Sequence, residues 1–430
     1  MRLLRLTALL LLLFPKWSLA VVTDGETDDS PTGAIPIAAE GAEGLALALR
    51  TALTHNPSIK AGYADLEEKR YAISSAKGSR FPTLSGQADT DRARFGQATI
   101  AVRQPLWAFG KIDTPIDQAQ ADFNAQLWGL RQIERGLIED TAVAYAVISG
   151  IRQRAEVAAN NVAEHESLHR RIERRYQGKL ASRVDVGLSR SRLFQAHARG
   201  ERIEGEMLVA FAQLEALTQI PVETEIPVDP RRTVLPPTLE VEALALENSA
   251  DLHFQRLNLE VLRFDIKREK IASLPTLSAR FEQDFVDQGN GVRDTRYGLV
   301  IEGSVEGFGL VSLGRVRGAT ARLKAAKHQV DATHNEVRRR VNTLMINRTV
   351  QQRLNRSQGA ALEAVEDTRS SFLRQYENGR KTWLELLNIQ REVAVLSFAL
   401  ARIQNDELIL SLRVAALIGG LDQLAGIEAL

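Results

Sequence analysis

The sequence predicts a mostly α-helical chain that also carries transmembrane β-structure, built from a helix–strand–strand–helix unit used twice. Three observations predict it. The phrase Pro82-Thr83-Leu84-Ser85 recurs as Pro275-Thr276-Leu277-Ser278, and the flanking regions align without a gap from Asn56 to Ser85 against Ser249 to Ser278. After each proline the residues alternate between apolar and polar at period two, the pattern of a strand with one apolar face. Beyond each strand pair runs a helical stretch too long for any compact domain, from Lys111 to Tyr176 and from about Leu313 to Glu377.

The N-terminus has the form of a secretory signal over residues 1–20. Arg2 and Arg5 supply the charge, Leu3 to Phe14 the apolar core, and Ser18-Leu19-Ala20 the small residues before a cut at Val21. The core is shorter than the ~20 apolar residues of a membrane-spanning anchor, which is the alternative. Residues 21–42 are acidic and rich in Gly, Thr, Ser and Pro, and read as a disordered leader. The chain has no cysteine, which excludes disulfides, thiolate chemistry and a lipid-bearing Cys. Lys plus Arg number 55 against 54 Asp plus Glu, so no strongly basic surface calls for nucleic acid.

The first repeat covers residues 43–219. A helix from about Glu43 to Arg80, with a break at Asn56-Pro57, stops at Pro82 because proline cannot continue it. Strands follow over about 83–107, with Ala98, Ile100, Val102 and Leu106 sharing a face, and close at Phe109-Gly110. The Lys111–Tyr176 helix would be about 100 Å long. Stepping by seven gives Ile116, Phe123, Leu130, Leu137, Ala144, Ile151, Ala158, His165 and Ile172. One polar residue in that row marks a supercoiled seam between side-by-side helices. The helix breaks at Gln177-Gly178-Lys179, with Gly178 as the expected C-terminal cap, and a shorter helix returns from about Ala181 to Thr218.

Residues 220–238 hold five prolines and form the linker between repeats. The second repeat, 239–420, has a helix from about Leu239 to Leu274 and strands over about 276–309. In the first of those strands Leu277, Ala279, Phe281 and Phe285 oppose Ser278, Arg280, Glu282 and Asp284. In the returning strand Tyr297, Leu299, Ile301 and Val305 share a face across the turn at Gly289-Asn290-Gly291. A long helix with Val316, Leu323, Val330, Val337 and Leu344 at sevens breaks at Asn378-Gly379 and returns from Thr382 to Ile418. Residues 421–430 form a C-terminal tail.

Strands of about ten residues suit an outer-membrane barrel, but four are too few to close one, and an open edge is not tolerated in lipid. Either several copies share one barrel, or the strands are two small soluble hairpins.

The residues resemble the TolC family of outer-membrane channels. The likeness rests on the duplication, the proline before each strand pair, Gln104-Pro105-Leu106-Trp107 with Phe109-Gly110, and the tip phrases Tyr176-Gln177-Gly178 and Tyr376-Glu377-Asn378-Gly379. It implies a homotrimer giving a shared twelve-stranded barrel in outer-membrane lipid, continued by a periplasmic α-helical barrel. It implies a passive duct, not an enzyme, without cofactor or metal, and without nucleic acid as partner. Its partners would be a periplasmic adaptor (membrane fusion) protein and an inner-membrane transporter, of ABC type for type I secretion of proteins. Small-molecule efflux is the alternative cargo.

The resemblance also implies a gate at the periplasmic tip. Tyr376 would bond Asp185 on the neighbouring helix pair, Lys381 would help hold the closed state, and Glu385 would present a negative ring. Asn388 stands where the family has a second acid, which puts a cation-binding aperture in doubt. The turns at Gly178, Lys179, Gly379 and Arg380 would meet the adaptor.

A competing reading is an exported zinc protease, because His165-Glu166-Ser167-Leu168-His169 matches H-E-x-x-H. Against it, no third ligand follows at family spacing, and His165 continues the apolar seam row. The arginine runs Arg174-Arg175 and Arg338-Arg339-Arg340 read as solvated helix faces, or as tunnel lining.

Overall fold

The computed structural model describes residues 43–89, 97–221, 235–286 and 293–427. The signal and leader segments, most of the linker, the loop tip Gly289-Asn290-Gly291 and the last three residues lie outside the described residues.

The first half opens with α1 (Glu43–His55) and α2 (Pro57–Gly78). Asn56 separates them. Its Oδ1 accepts from the Ser58 N–H while its Nδ2 donates to the Leu217 carbonyl, so one side chain starts α2 and ties it to a distant helix end. The second half breaks likewise, into α5 (Thr238–Asn248) and α6 (Ala250–Ile271), with Ser249 capping Leu252 N–H. A continuous helix over 239–274 was the sequence expectation. Ser249 overturns it, and its alignment with Asn56 was the available signal.

The strands β1 (Thr83–Asp89), β2 (Gln97–Trp107), β3 (Thr276–Val286) and β4 (Arg293–Glu302) form one antiparallel sheet in the order β1-β2-β3-β4. The two repeats meet at β2 and β3. Cross-strand partners share a face, so Leu84, Val102, Phe281 and Tyr297 form one apolar row, with Leu277 opposite Ile301. The other face is charged: Arg103 pairs with Glu302 at 2.7 Å, Arg280 with Glu282 at 3.0 Å, and Asp284 accepts from Thr99 and Arg296. Two details correct the sequence reading. The β2 register shifts between Pro105 and Trp107, so Trp107 rather than Leu106 stands beside Leu277. Val305 lies beyond β4, before a 3-10 turn at Glu306–Gly309.

Each sheet-to-helix junction carries a phenylalanine in left-handed backbone. Phe109 has φ 51° and Phe308 φ 53°, each followed by a positive-φ glycine. A bulky residue rarely adopts that conformation, and its recurrence in both repeats marks a sharp swivel demanded by the fold.

From these junctions run α3 (Asp113–Gln177, 65 residues) and α7 (Leu310–Glu377, 68 residues), which return as α4 (Arg183–Thr218) and α8 (Trp383–Leu417). α3 is central, packing on α4, α2, α6 and α8. Its seven-step row is the seam: Ile116, Leu130, Leu137, Ile151, Ala158, His165 and Ile172 are all buried. Gly150 lets α8 come close, because a Cβ there would fall 2.1 Å from Asn405 Cγ. A short α9 (Asp422–Ala425) docks the C-terminal residues: Asp422 accepts from Arg135, Arg50 donates to the Leu424 carbonyl, and Leu421 is fully buried. The triple arginine run ends on carboxylates, Arg338 with Glu242, Arg339 with Glu336 and Arg340 with Glu139. Among the described residues no helix is long and apolar enough to cross a membrane.

Candidate gate at the two helix turns

The far ends of the long helices carry two turns of one design. In the first, the N–H groups of Gly178, Lys179 and Leu180 donate to Arg174, Tyr176 and Arg175 carbonyls; in the second, those of Asn378, Gly379 and Arg380 donate to Arg374, Tyr376 and Gln375. The left-handed residue is Lys179 at φ 56° in the first turn and Gly379 at φ 72° in the second. Gly178 is the C-terminal cap of α3, as the sequence suggested, at φ −77°, so the left-handed step falls on the residue after it. Gly178, Lys179, Gly379 and Arg380 all stand exposed at the extremity.

Each returning helix starts with a capping box. Ser182 Oγ accepts from the Asp185 N–H and the Asp185 carboxylate takes the Ser182 N–H and hydroxyl; Thr382 and Glu385 repeat the arrangement. Lys381 adds a 2.7 Å ion pair to Glu385 and lies over the Phe372 ring. Glu385 is thereby pushed down to about 2, first by the Lys381 hydrogen bond and then by those of Thr382. Asn388 is exposed on the next turn.

Beneath the second turn Tyr376, Trp383, Leu386 and Leu387 pack with Leu168 and Ile172 of α3. The Tyr376 and Trp383 ring centroids are 5.4 Å apart, and the Arg175 guanidinium covers the Tyr376 ring at 4.9 Å. Burial pushes the Tyr376 phenol up, Arg175 opposes this, and the charge of nearby Asp185 adds to it. The expected Tyr376–Asp185 hydrogen bond is not made within the chain, because Asp185 is spent on Ser182. Lys381 is committed to Glu385 in the same way. The ion pairs that join the helix pairs near this end, among the described residues, are Arg171 to Glu377 and Arg369 to Glu164, which sequence reasoning missed because each pairs residues about 205 apart.

The H-E-x-x-H residues diverge. His165 is buried in the seam, its Nδ1 without a partner, its pKa lowered by burial and by Arg192. His169 Nδ1 meets Ser189 Oγ at 2.8 Å, and Glu166 faces Arg170. One imidazole is therefore packed into the seam, and the other is bonded across to α4.

The Outer membrane efflux protein family matches residues 48–218. The outer membrane efflux protein BepC of Brucella suis is 20% identical over 384 residues, covering 86% of this chain and 84% of that one. A membrane protein from Pseudomonas aeruginosa has the same fold at TM-score 0.77 and 17% identity, covering 94% and 99% of the two chains. The outer membrane protein VceC from Vibrio cholerae superposes at TM-score 0.74 and 18% identity, covering 87% and 96%. The fold is of the TolC type, in agreement with the family resemblance.

Proposed function

We propose that this TolC-type chain, whose residues 48–218 match the outer membrane efflux proteins, is the exit duct of a tripartite export machine. It is a passive channel and not an enzyme. Its place is the outer membrane, with the helices reaching into the periplasm. One observation carries the reading. A four-stranded sheet, apolar on one face and charged on the other, is joined to helices of 65 and 68 residues. The apolar face suits lipid and the charged face a water-filled lumen. The sheet's outer strands, β1 and β4, leave edges that lipid does not tolerate, so copies of the chain, three in the family resemblance, must close the barrel together.

The turns bearing Lys179 and Gly379 meet a periplasmic adaptor, and the machine is driven by an inner-membrane transporter. Asp185, Tyr376, Lys381 and Glu385 form the periplasmic gate, each holding its own turn shut from within, with Asn388 three residues beyond Glu385 on α8. The cargo is protein, through type I secretion and an ABC-type transporter; the second tip phrase, Tyr376 through Leu387, supports this. The relative's name, an efflux protein, favours small-molecule efflux as the second reading.

The test expresses the chain in a Gram-negative host lacking its own such channel. Envelope fractions are assayed for the protein, planar bilayers for single-channel conductance, and the host for rescue of protein secretion and of dye efflux. Outer-membrane location with discrete conductance is expected, with rescue of secretion. A soluble periplasmic protein without conductance would overturn the duct, and rescue of dye efflux alone would overturn the cargo.

A further inference from the structure

The two helix pairs match at an offset of 200 residues, as from Tyr176 to Tyr376, yet they are not tied together alike toward the turns. Between Arg183 and Ala196, α4 buries one residue, Ser189, and that residue is polar. The corresponding stretch of α8 buries Trp383, Leu386, Leu387 and Val393, besides Gln390. To the apolar cluster beneath the turns lower α4 adds the half-buried Val186 and Leu188.

Opposite this stretch α3 carries two imidazoles one turn apart, His165 and His169. His169 Nδ1 lies 2.8 Å from Ser189 Oγ, and the Ser189 hydroxyl donates to the Val186 carbonyl at 2.9 Å. The hydroxyl oxygen therefore accepts from an Nδ1–H, a bond that a neutral or a charged imidazole can make. His165 is different. It is 6% exposed, its Nδ1 has no partner, and it stands between two apolar clusters, one reaching Ala158 on α3 and the other starting at Leu168. At the same places the second repeat has the half-buried Val365 for His165 and Ile389 for Ser189. The polar layer belongs to the first pair.

A charge on His165 is poorly compensated there. Burial opposes the imidazolium first and the Arg192 guanidinium of α4 next, and Glu164 on its own helix offsets them in part. Glu164 is itself engaged by Arg369 of α7 at 3.4 Å, and the same Arg369 reaches the neutral, buried Gln390 of α8. A proton taken up at His165 thus sets two cations beside the one buried link of lower α4. Separation of the two helices relieves this, because water then solvates both groups.

We infer that His165 is an acid-sensitive latch of the first helix pair: on acidification lower α4, from Arg183 to Ala196, disengages from α3 and carries Asp185 out of the gate, while the second turn stays shut. This rests on the reading of the two turns as a gate, and it gives that gate a partial opening set by protons alone. The second turn is left in place for two reasons. Glu385, held down at about 2, keeps its charge through the range in which an imidazole titrates, and Val365, in the place of His165, has nothing to titrate.

The test records single channels of the full chain in planar bilayers at about pH 7.5 and about pH 5.5, the interval in which an imidazole changes charge, and follows amide exchange of the detergent-extracted protein over the same interval. Open probability should rise several-fold on acidification, and exchange should accelerate over Arg183–Ala196 but not over Trp383–Val393. His165→Gln, neutral at both values, should conduct like the unmodified chain at the higher pH and lose the acid response. Arg192→Gln, which leaves the buried position intact, should weaken the response. His169→Gln, whose amide can still donate to Ser189, should keep it. A conducting chain without any acid response would overturn the latch, and so would a response of full size in His165→Gln or Arg192→Gln, or exchange that accelerates equally in α4 and α8. A chain that conducts at neither pH, but whose exchange over Arg183–Ala196 still answers to acid through His165, would overturn the duct and leave the latch standing.

Discussion

The two turns at the far end of the long helices share every backbone hydrogen bond and differ in nearly every side chain around them. The second has glycine at its left-handed position, Trp383 at the start of its return helix, a buried tyrosine and a Lys381–Glu385 pair. The first has Lys179, Arg183, an exposed Tyr176 and no cation at 181. Backbone geometry is thus set by the repeat, and tightness by the side chains. The second turn is locked to the bundle by buried Tyr376 and Trp383, while the first reaches the same cluster only with the half-buried Ala181, Val186 and Leu188 and with Arg175 over the Tyr376 ring.

The largest test of that difference is Trp383→Ala. Truncating a buried tryptophan costs about 3–5 kcal/mol, reduced here because the indole N–H is buried without an acceptor. Hydrogen exchange of Tyr376–Leu387 should accelerate and single-channel conductance should rise, while Arg183→Ala in the first turn should change neither. Gly379→Ala should cost about 1–2 kcal/mol, the penalty of a Cβ in left-handed backbone. Lys179→Gly should run the other way and tighten the first turn, narrowing the gap in amide protection between the two. Ser182→Ala and Thr382→Ala should each cost about 1 kcal/mol through their caps. Equal losses would confirm that the caps are shared equipment, and a larger loss at Thr382 would show that the cap also positions Glu385 for Lys381.

Acid should separate the halves most finely. Glu385 is held down at about 2, so its contribution is complete above the ordinary carboxylate value of about 4.3 and fades as pH falls toward 2. His165 lies in the first helix pair, with its pKa lowered by burial. Opened or unfolded chain then takes up a proton more readily than folded chain, and stability declines as pH drops below about 6.5. Amide exchange along α3 near His165 should therefore accelerate at pH values where the second turn is still protected. His165→Gln should flatten the first response and Glu385→Gln the second.

Much of this was legible from residues alone. Period two gave the strand faces, and the period-seven row from Ile116 to Ile172 gave the α3 seam, because both are local consequences of burying one side. What failed did so for identifiable reasons. Gly178 caps α3 as its residue type suggests, but the left-handed step falls on Lys179, which the match of Tyr176 with Tyr376 aligns with Gly379. Asp185 and Glu385 each follow Ser or Thr by three residues, the signature of a capping box, and the structure uses both carboxylates there. The different neighbours of α3 and α7 are written in no heptad: the α7 row turns polar at Gln351 and Gln358, but which helices each row meets is decided by the chain path.

The sheet's two free margins also bear on inheritance. A chain unable to pair through β4 would still offer a sound β1 to an intact partner, and so would be drawn into shared barrels and spoil them. In a cell making intact and damaged chains equally, with three chains to a barrel, only about one barrel in eight would be wholly intact. A lesion at that margin should behave as a dominant trait, whereas a chain too damaged to fold at all would merely be recessive.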